Sequence, residues 1–169
     1  MDIENALKLS VEYETRVRDV YVEALKRVGD AKGKAIFQVL ADEEQGHVDF
    51  LEALLKEWRE TGAIHPADIE TRIPPRDRIE AGVRKIEAGM ADLDPDNDLQ
   101  MLSKALDLEI ETSRFYKKMV HEVPAEGRAM FTRFITVEEG HVAIVKAEMD
   151  HLIRTGYWFD FMEIDLNGV

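Results

Sequence analysis

Apolar residues recur in columns seven positions apart within four long stretches that glycine and proline leave uninterrupted, the spacing of one face of a helix. The first stretch runs from about Asp2, an N-cap type of residue, to Gly29. The second follows Asp30 and closes at Thr61-Gly62, where glycine suits a left-handed cap. The third begins after Asp94-Pro95-Asp96 and ends near Glu122. The fourth starts at Pro124, a good first-turn residue, and ends at Thr155-Gly156. No useful length alternates with period two, so the pattern predicts an all-α chain without strands. The joins within the first and second pairs of stretches are a few residues long and predict antiparallel hairpins. A long crossover, residues 63–97, holds four of the five prolines and includes a short helix near Arg76 to Met90. The expected architecture is a four-helix bundle over residues 1–156, two antiparallel hairpins joined by that crossover. Residues 157–169 form an aromatic-rich tail, irregular or packed on a partner subunit.

Carboxylates interrupt the apolar columns. The first helix reads Leu7, Glu14, Tyr21, Val28 and the third Leu102, Glu109, Tyr116, Val123, an offset of 95 at every position. The second and fourth match at an offset of 94: Glu44-Gln45-Gly46-His47-Val48 returns as Glu138-Glu139-Gly140-His141-Val142, Phe37 as Phe131 and Thr61-Gly62 as Thr155-Gly156. The chain reads as a duplicated helical hairpin. An unpaired ionised carboxylate in an apolar interior is prohibitively unfavourable, and four together are worse. Protons or cations must therefore accompany them. Glu and His at i and i+3 share a helix face, so Glu44 with His47, and Glu138 with His141, can each chelate one ion. Two divalent ions neutralise four carboxylates. Mixed oxygen and imidazole donors suit iron or manganese better than calcium or structural zinc.

Other candidates have plainer readings. Glu148 and His151 repeat the Glu-x-x-His spacing, but Leu54 and Glu57 stand at the equivalent places and Glu148 is turned about 80° from Glu138. That pair is read as a coincidence. His65, in the crossover, and His121, at a helix end, are read as surface residues. Tyr21 and Tyr116 serve as donors to the carboxylates, as redox-active side chains, or as core residues with satisfied hydroxyls. Trp158 and Phe159 are read as packing.

Composition narrows the partners. A net charge of −13, from 22 basic and 35 acidic residues, repels nucleic acid and anionic lipid, and no basic stripe offsets it. The absence of cysteine excludes disulfides, thiolate nucleophiles, iron–sulfur clusters and thiolate-bound metal. The acidic, amphipathic start MDIENALKLS is unlike a signal peptide, and no apolar run reaches the roughly 20 residues of a membrane span. The expectation is a soluble, cytoplasmic chain.

The ordered set Glu, Glu-x-x-His, Glu, Glu-x-x-His on four helices resembles the ferritin-like di-iron carboxylate superfamily over about residues 1–156. Within it the chain is most similar to rubrerythrin-type proteins lacking the rubredoxin domain. The resemblance implies a ferritin-like bundle with two iron ions as cofactors, manganese or adventitious zinc being the alternatives. It implies Glu14, Glu44, His47, Glu109, Glu138 and His141 as ligands, with bridging carboxylates from either Glu44 and Glu138 or Glu14 and Glu109. Two features depart from the rubrerythrin pattern: Thr112 stands where rubrerythrins carry an extra glutamate, and the cysteines of a rubredoxin domain are lacking. The ligand set is similar to that of bacterioferritin, but Gln45 stands where bacterioferritins carry a haem-ligating methionine, and a further helix for shell assembly is not evident in the tail. The implied activity is reduction of hydrogen peroxide or dioxygen by a homodimer that draws on an external electron-donor protein. The alternatives are a ferroxidase or iron-storage protein, an oxygenase of an organic substrate, and a metal-free helical scaffold.

Overall fold

The computed structural model describes residues 1–65, 69–85 and 96–158, without the side chains of 82–85 and 96. Among these residues every regular element is a helix: α1 (Ile3–Arg27), α2 (Ala31–Thr61), α3 (Arg76–Lys85), α4 (Asp96–Glu122) and α5 (Ala125–Thr155). The expected ends hold because local chemistry sets them. The Asp2 carboxylate accepts from the Asn5 amide, and Asp30 accepts from the Lys32 and Gly33 amides, which satisfies first-turn donors of α1 and α2. Gly62 and Gly156 close α2 and α5 at φ of 69° and 74°, backbone that glycine adopts without a Cβ penalty. The expected crossover helix is present as α3, shorter than the Arg76–Met90 span, whose last five residues lie outside the described set. The tail from Phe159 also lies outside it.

Contacts between helix ends give the topology. Arg59 on α2 reaches Glu4 on α1, and Trp158 just beyond α5 donates to Asp98 near the start of α4. Each hairpin is therefore antiparallel. The Met1 amino group donates to the Glu122 carbonyl, while Asn97 donates to the Arg27 carbonyl, so α1 and α4 also run antiparallel. The end of α2 and the start of α4 consequently lie at opposite ends of the bundle, and the crossover must span its length. The structure thus has the two hairpins and long connection expected of the four main helices, with α3 packed against α5.

A polar layer divides the core in two. Toward one end lie Val17, Val20, Tyr21, Phe37, Leu40, Leu102, Ala105, Ile144 and Val145. Toward the other lie Ile3, Leu7, Leu51, Leu54, Phe115, Tyr116, Phe131 and Phe134. On α1 the two sets are separated by Glu14, on α2 by Glu44 and His47, on α4 by Glu109 and Thr112, and on α5 by Glu138 and His141. All of these residues are buried. The apolar halves anchor the four long helices above and below that layer, which fixes where its side chains meet.

Candidate metal centre

The carboxylates converge because each occupies the core-facing column of its helix. Glu14, Glu44 and Glu109 are fully buried and Glu138 is 1% exposed. Ligand-type atoms of Glu14, Glu44 and His47 lie within 4.8 Å of one another, as do those of Glu44, Glu109 and His141. Glu44 belongs to both trios. One of its oxygens is 3.4 Å from His47 Nδ1 and the other 2.6 Å from His141 Nδ1. The imidazoles stack with centroids 5.2 Å apart. Glu138 reaches the same interior but joins neither trio, and both of its oxygens lack a hydrogen-bond partner.

The orientation of these atoms matters more than their proximity. His141 Nδ1, both Glu44 oxygens, one Glu109 oxygen and both Glu138 oxygens are buried yet form no well-aligned hydrogen bond. Such atoms ordinarily find partners, since an unsatisfied buried polar group costs about 1–3 kcal/mol. Here they lack partners although ligand-type atoms of each trio lie within 4.8 Å of one another, as the donors of a metal site do. The buried clusters of carboxylates and imidazoles could hold a metal ion, and mixed oxygen and nitrogen donors suit transition metals.

Proton affinities record the same crowding. Burial, with the neighbouring Glu44 charge second, pushes Glu14 up to about 8. Burial, then Glu14 and Glu109, raises Glu138 well above the carboxylate range. Burial opposes ionisation of Glu44 as well, but His141 and His47 outweigh it and hold its carboxyl well below the usual value. Burial likewise disfavours charge on the histidines, yet Glu44 prevails, raising His47 to about 10 and His141 well above its ordinary value. Without metal, these directions favour an ionised Glu44 between two imidazoliums, with protons on Glu14 and Glu138.

Tyr21 and Tyr116 are fully buried in the core, with both hydroxyls hydrogen-bonded to carboxylates. Each donates across the duplication, Tyr21 to Glu109 and Tyr116 to Glu14, so each half orients a carboxylate of the other. Burial and those carboxylates push both phenols well up, keeping them protonated donors. Thr112 is fully buried beside the layer, its hydroxyl without a hydrogen-bond partner. His65 is exposed and bonded to Glu57, and His121 is exposed. Glu148 and His151 are buried but outside every trio. Trp158 is 4% exposed and packs edge-on against Phe37.

One residue of the site escaped the sequence reading. Glu43 forms a third trio with His47 and His141, and both of its oxygens accept the Arg72 amide, at 3.0 and 3.1 Å. The signal was its position four residues before His47, on the same helix face. The repeat hid it, because Val137 occupies the equivalent place in α5. No helix among the described residues is long and apolar enough to cross a membrane. No family model, curated protein or solved structure matches this chain.

Proposed function

We propose that this chain is a ferritin-like di-iron protein that reduces hydrogen peroxide or dioxygen with electrons from an external donor, in the manner of rubrerythrin-type proteins. The observation that carries the reading is Glu44, shared by two trios of buried ligands, with both of its oxygens lacking a hydrogen-bond partner. Glu14 and His47 would complete one ion's shell, and Glu109 and His141 the other's. Glu44 would bridge, and Glu138 would move in from the same interior. When bound, two ions in such a shell supply two electrons to an oxygen species and Lewis acidity to hold it.

The chain's own contributions follow from the geometry. The two apolar halves of the core exclude water from the layer, which strengthens every charge interaction within it. Tyr21 and Tyr116 fix Glu109 and Glu14 by hydrogen bonds, limiting how far those carboxylates can turn. Protons that leave His47, His141, Glu14 and Glu138 on loading keep the site near neutrality. The raised affinities of Glu14 and Glu138 also make these carboxylates fit to hold a proton at neutral pH.

The test begins with metal analysis of the purified protein, which should return two ions per chain. The iron-loaded, chemically reduced protein should then be oxidised by stoichiometric peroxide faster than by air-saturated buffer. Equal rates would remove peroxide as the substrate, and a protein that takes up no metal would remove the whole reading.

A further inference from the structure

The centre needs a way in for ions. Glu14, Glu44, Glu109 and Glu138 are at most 1% exposed and lie between four helices. Glu43, at 8%, is the one carboxylate of the three trios that retains contact with solvent. It sits at the rim of the layer beneath the crossover, where Arg72 is exposed and Ile73 is buried. The Arg72 amide holds both carboxylate oxygens, and the Arg72 Nε is 3.9 Å from one of them. The side chain is therefore fixed in direction beside the two histidines.

Two further observations point to a ligand there. The Nε2 atoms of His47 and His141 are buried and have no hydrogen-bond partner, although their Nδ1 atoms face the inner carboxylates. Each histidine also belongs to two trios: His47 to Glu43's and to that of Glu14 and Glu44, His141 to Glu43's and to that of Glu44 and Glu109. The outer trio thus shares one ligand with each inner one. Val137 at the mirror position gives the second half no such carboxylate, so the feature is one-sided.

We propose that Glu43, His47 and His141 form a capture site for a divalent transition-metal cation, which displaces the histidine protons there and then moves inward to the neighbouring trios. The proposal rests on the inner trios binding metal. A carboxylate supplies charge attraction for the incoming ion, and imidazole nitrogen selects transition metals over calcium and magnesium.

The experiment mixes the metal-free full chain with Co2+ in a stopped-flow absorption spectrometer and counts bound ions after equilibrium dialysis. Glu43→Gln preserves the side chain's size and an acceptor for the Arg72 amide while removing the charge. Wild type should take up two ions, and Glu43→Gln the same two on the order of tenfold more slowly. Glu43→Asp, which keeps the charge one methylene short, should fall between them and stands in should Glu43→Gln fail to fold. Unchanged uptake by Glu43→Gln overturns the proposal. Loss of an ion at equilibrium, or faster release with unchanged uptake, also overturns it, since Glu43 would then be supporting the bound centre rather than loading it. A wild-type chain that binds no Co2+ and no Fe2+ instead overturns the di-metal reading itself.

Discussion

The α1–α2 and α4–α5 hairpins carry the same chemistry on different surroundings. Glu14 and Glu109, Glu44 and Glu138, His47 and His141, and Tyr21 and Tyr116 correspond one for one, and the tyrosine bonds cross between the halves. The outer faces diverge. The crossover lies close on α5, with the Pro74 carbonyl 3.3 Å from where a Cβ at Gly140 would stand; a Cβ at the equivalent Gly46 would meet nothing within 4 Å. Glu43 has no carboxylate counterpart, and neither does Glu148. Duplication supplied a symmetric interior, and the single crossover breaks that symmetry from outside. The break reaches the centre itself: Glu44 is held anionic between the two histidines, while its counterpart Glu138 favours the proton.

The most damaging way to probe that asymmetry is Glu44→Gln. Membership in both trios predicts that it weakens both ions together, by on the order of 100-fold or more, beyond the 10–100-fold typical of losing an outer-shell partner. Glu14→Gln and Glu109→Gln should each weaken one ion and spare the other. Calorimetric titration with Co2+ resolves the two steps. If Glu138→Gln abolished both ions and Glu44→Gln only one, the bridging role would belong to the other half.

The proton pattern predicts how the metal-free protein responds to pH. Glu14 has a folded value of about 8, above its ordinary 4.5, so its contribution is complete below pH 4.5 and is lost as pH rises toward 8. His47, raised from 6.5 to about 10, loses its contribution over that higher interval. Both trends oppose stability on the alkaline side. Glu44, depressed, contributes above 4.5 and loses its contribution only on acidification, so it does not compensate between pH 6 and 9. Melting of the chelator-treated protein should therefore fall by several degrees from pH 6 to pH 9. Loaded protein should show the smaller change, because bound ions replace the protons. A metal-free protein more stable at pH 9 than at pH 6 would contradict the assigned charge state.

Much of this architecture was legible because it is local. Asp2, Asp30, Gly62 and Gly156 mark helix ends through hydrogen bonds and φ values that involve only neighbouring residues. The ligand columns were legible because helical periodicity places Glu14 and Tyr21 on one face regardless of what packs there. What escaped depends on contacts between distant segments. Nothing local distinguishes Glu44 from Glu138 as the shared carboxylate; that follows from how α2 and α5 approach each other. Glu43 was passed over because searching by repeat discards whatever lacks a partner. Glu148 is buried although its helical position is turned about 80° from the ligand column of Glu138. α3 packs against α5, covering part of a helix that a lone hairpin would leave open.

The smallest expected effect contrasts two equivalent glycines near the helix starts, Gly33 in α2 and Gly127 in α5. A Cβ on Gly33 would lie 2.4 Å from the Trp158 ring, whereas one on Gly127 would lie 3.4 Å from Ile3, an ordinary contact. The indole is fixed by its bond to Asp98 and its edge-on contact with Phe37, so it cannot retreat without losing both. Replacing glycine by alanine inside a helix gains up to about 1 kcal/mol from backbone entropy, whereas overpacking costs about 1–3 kcal/mol. Gly127→Ala should accordingly be neutral or stabilising, and Gly33→Ala destabilising by about 1–2 kcal/mol. Denaturant midpoints measure the difference, and Trp158 fluorescence in a Trp58→Phe background should shift only for Gly33→Ala. Equal midpoints with an unmoved spectrum would mean that the segment after α5 does not lock the start of α2, removing one of the outer differences between the halves.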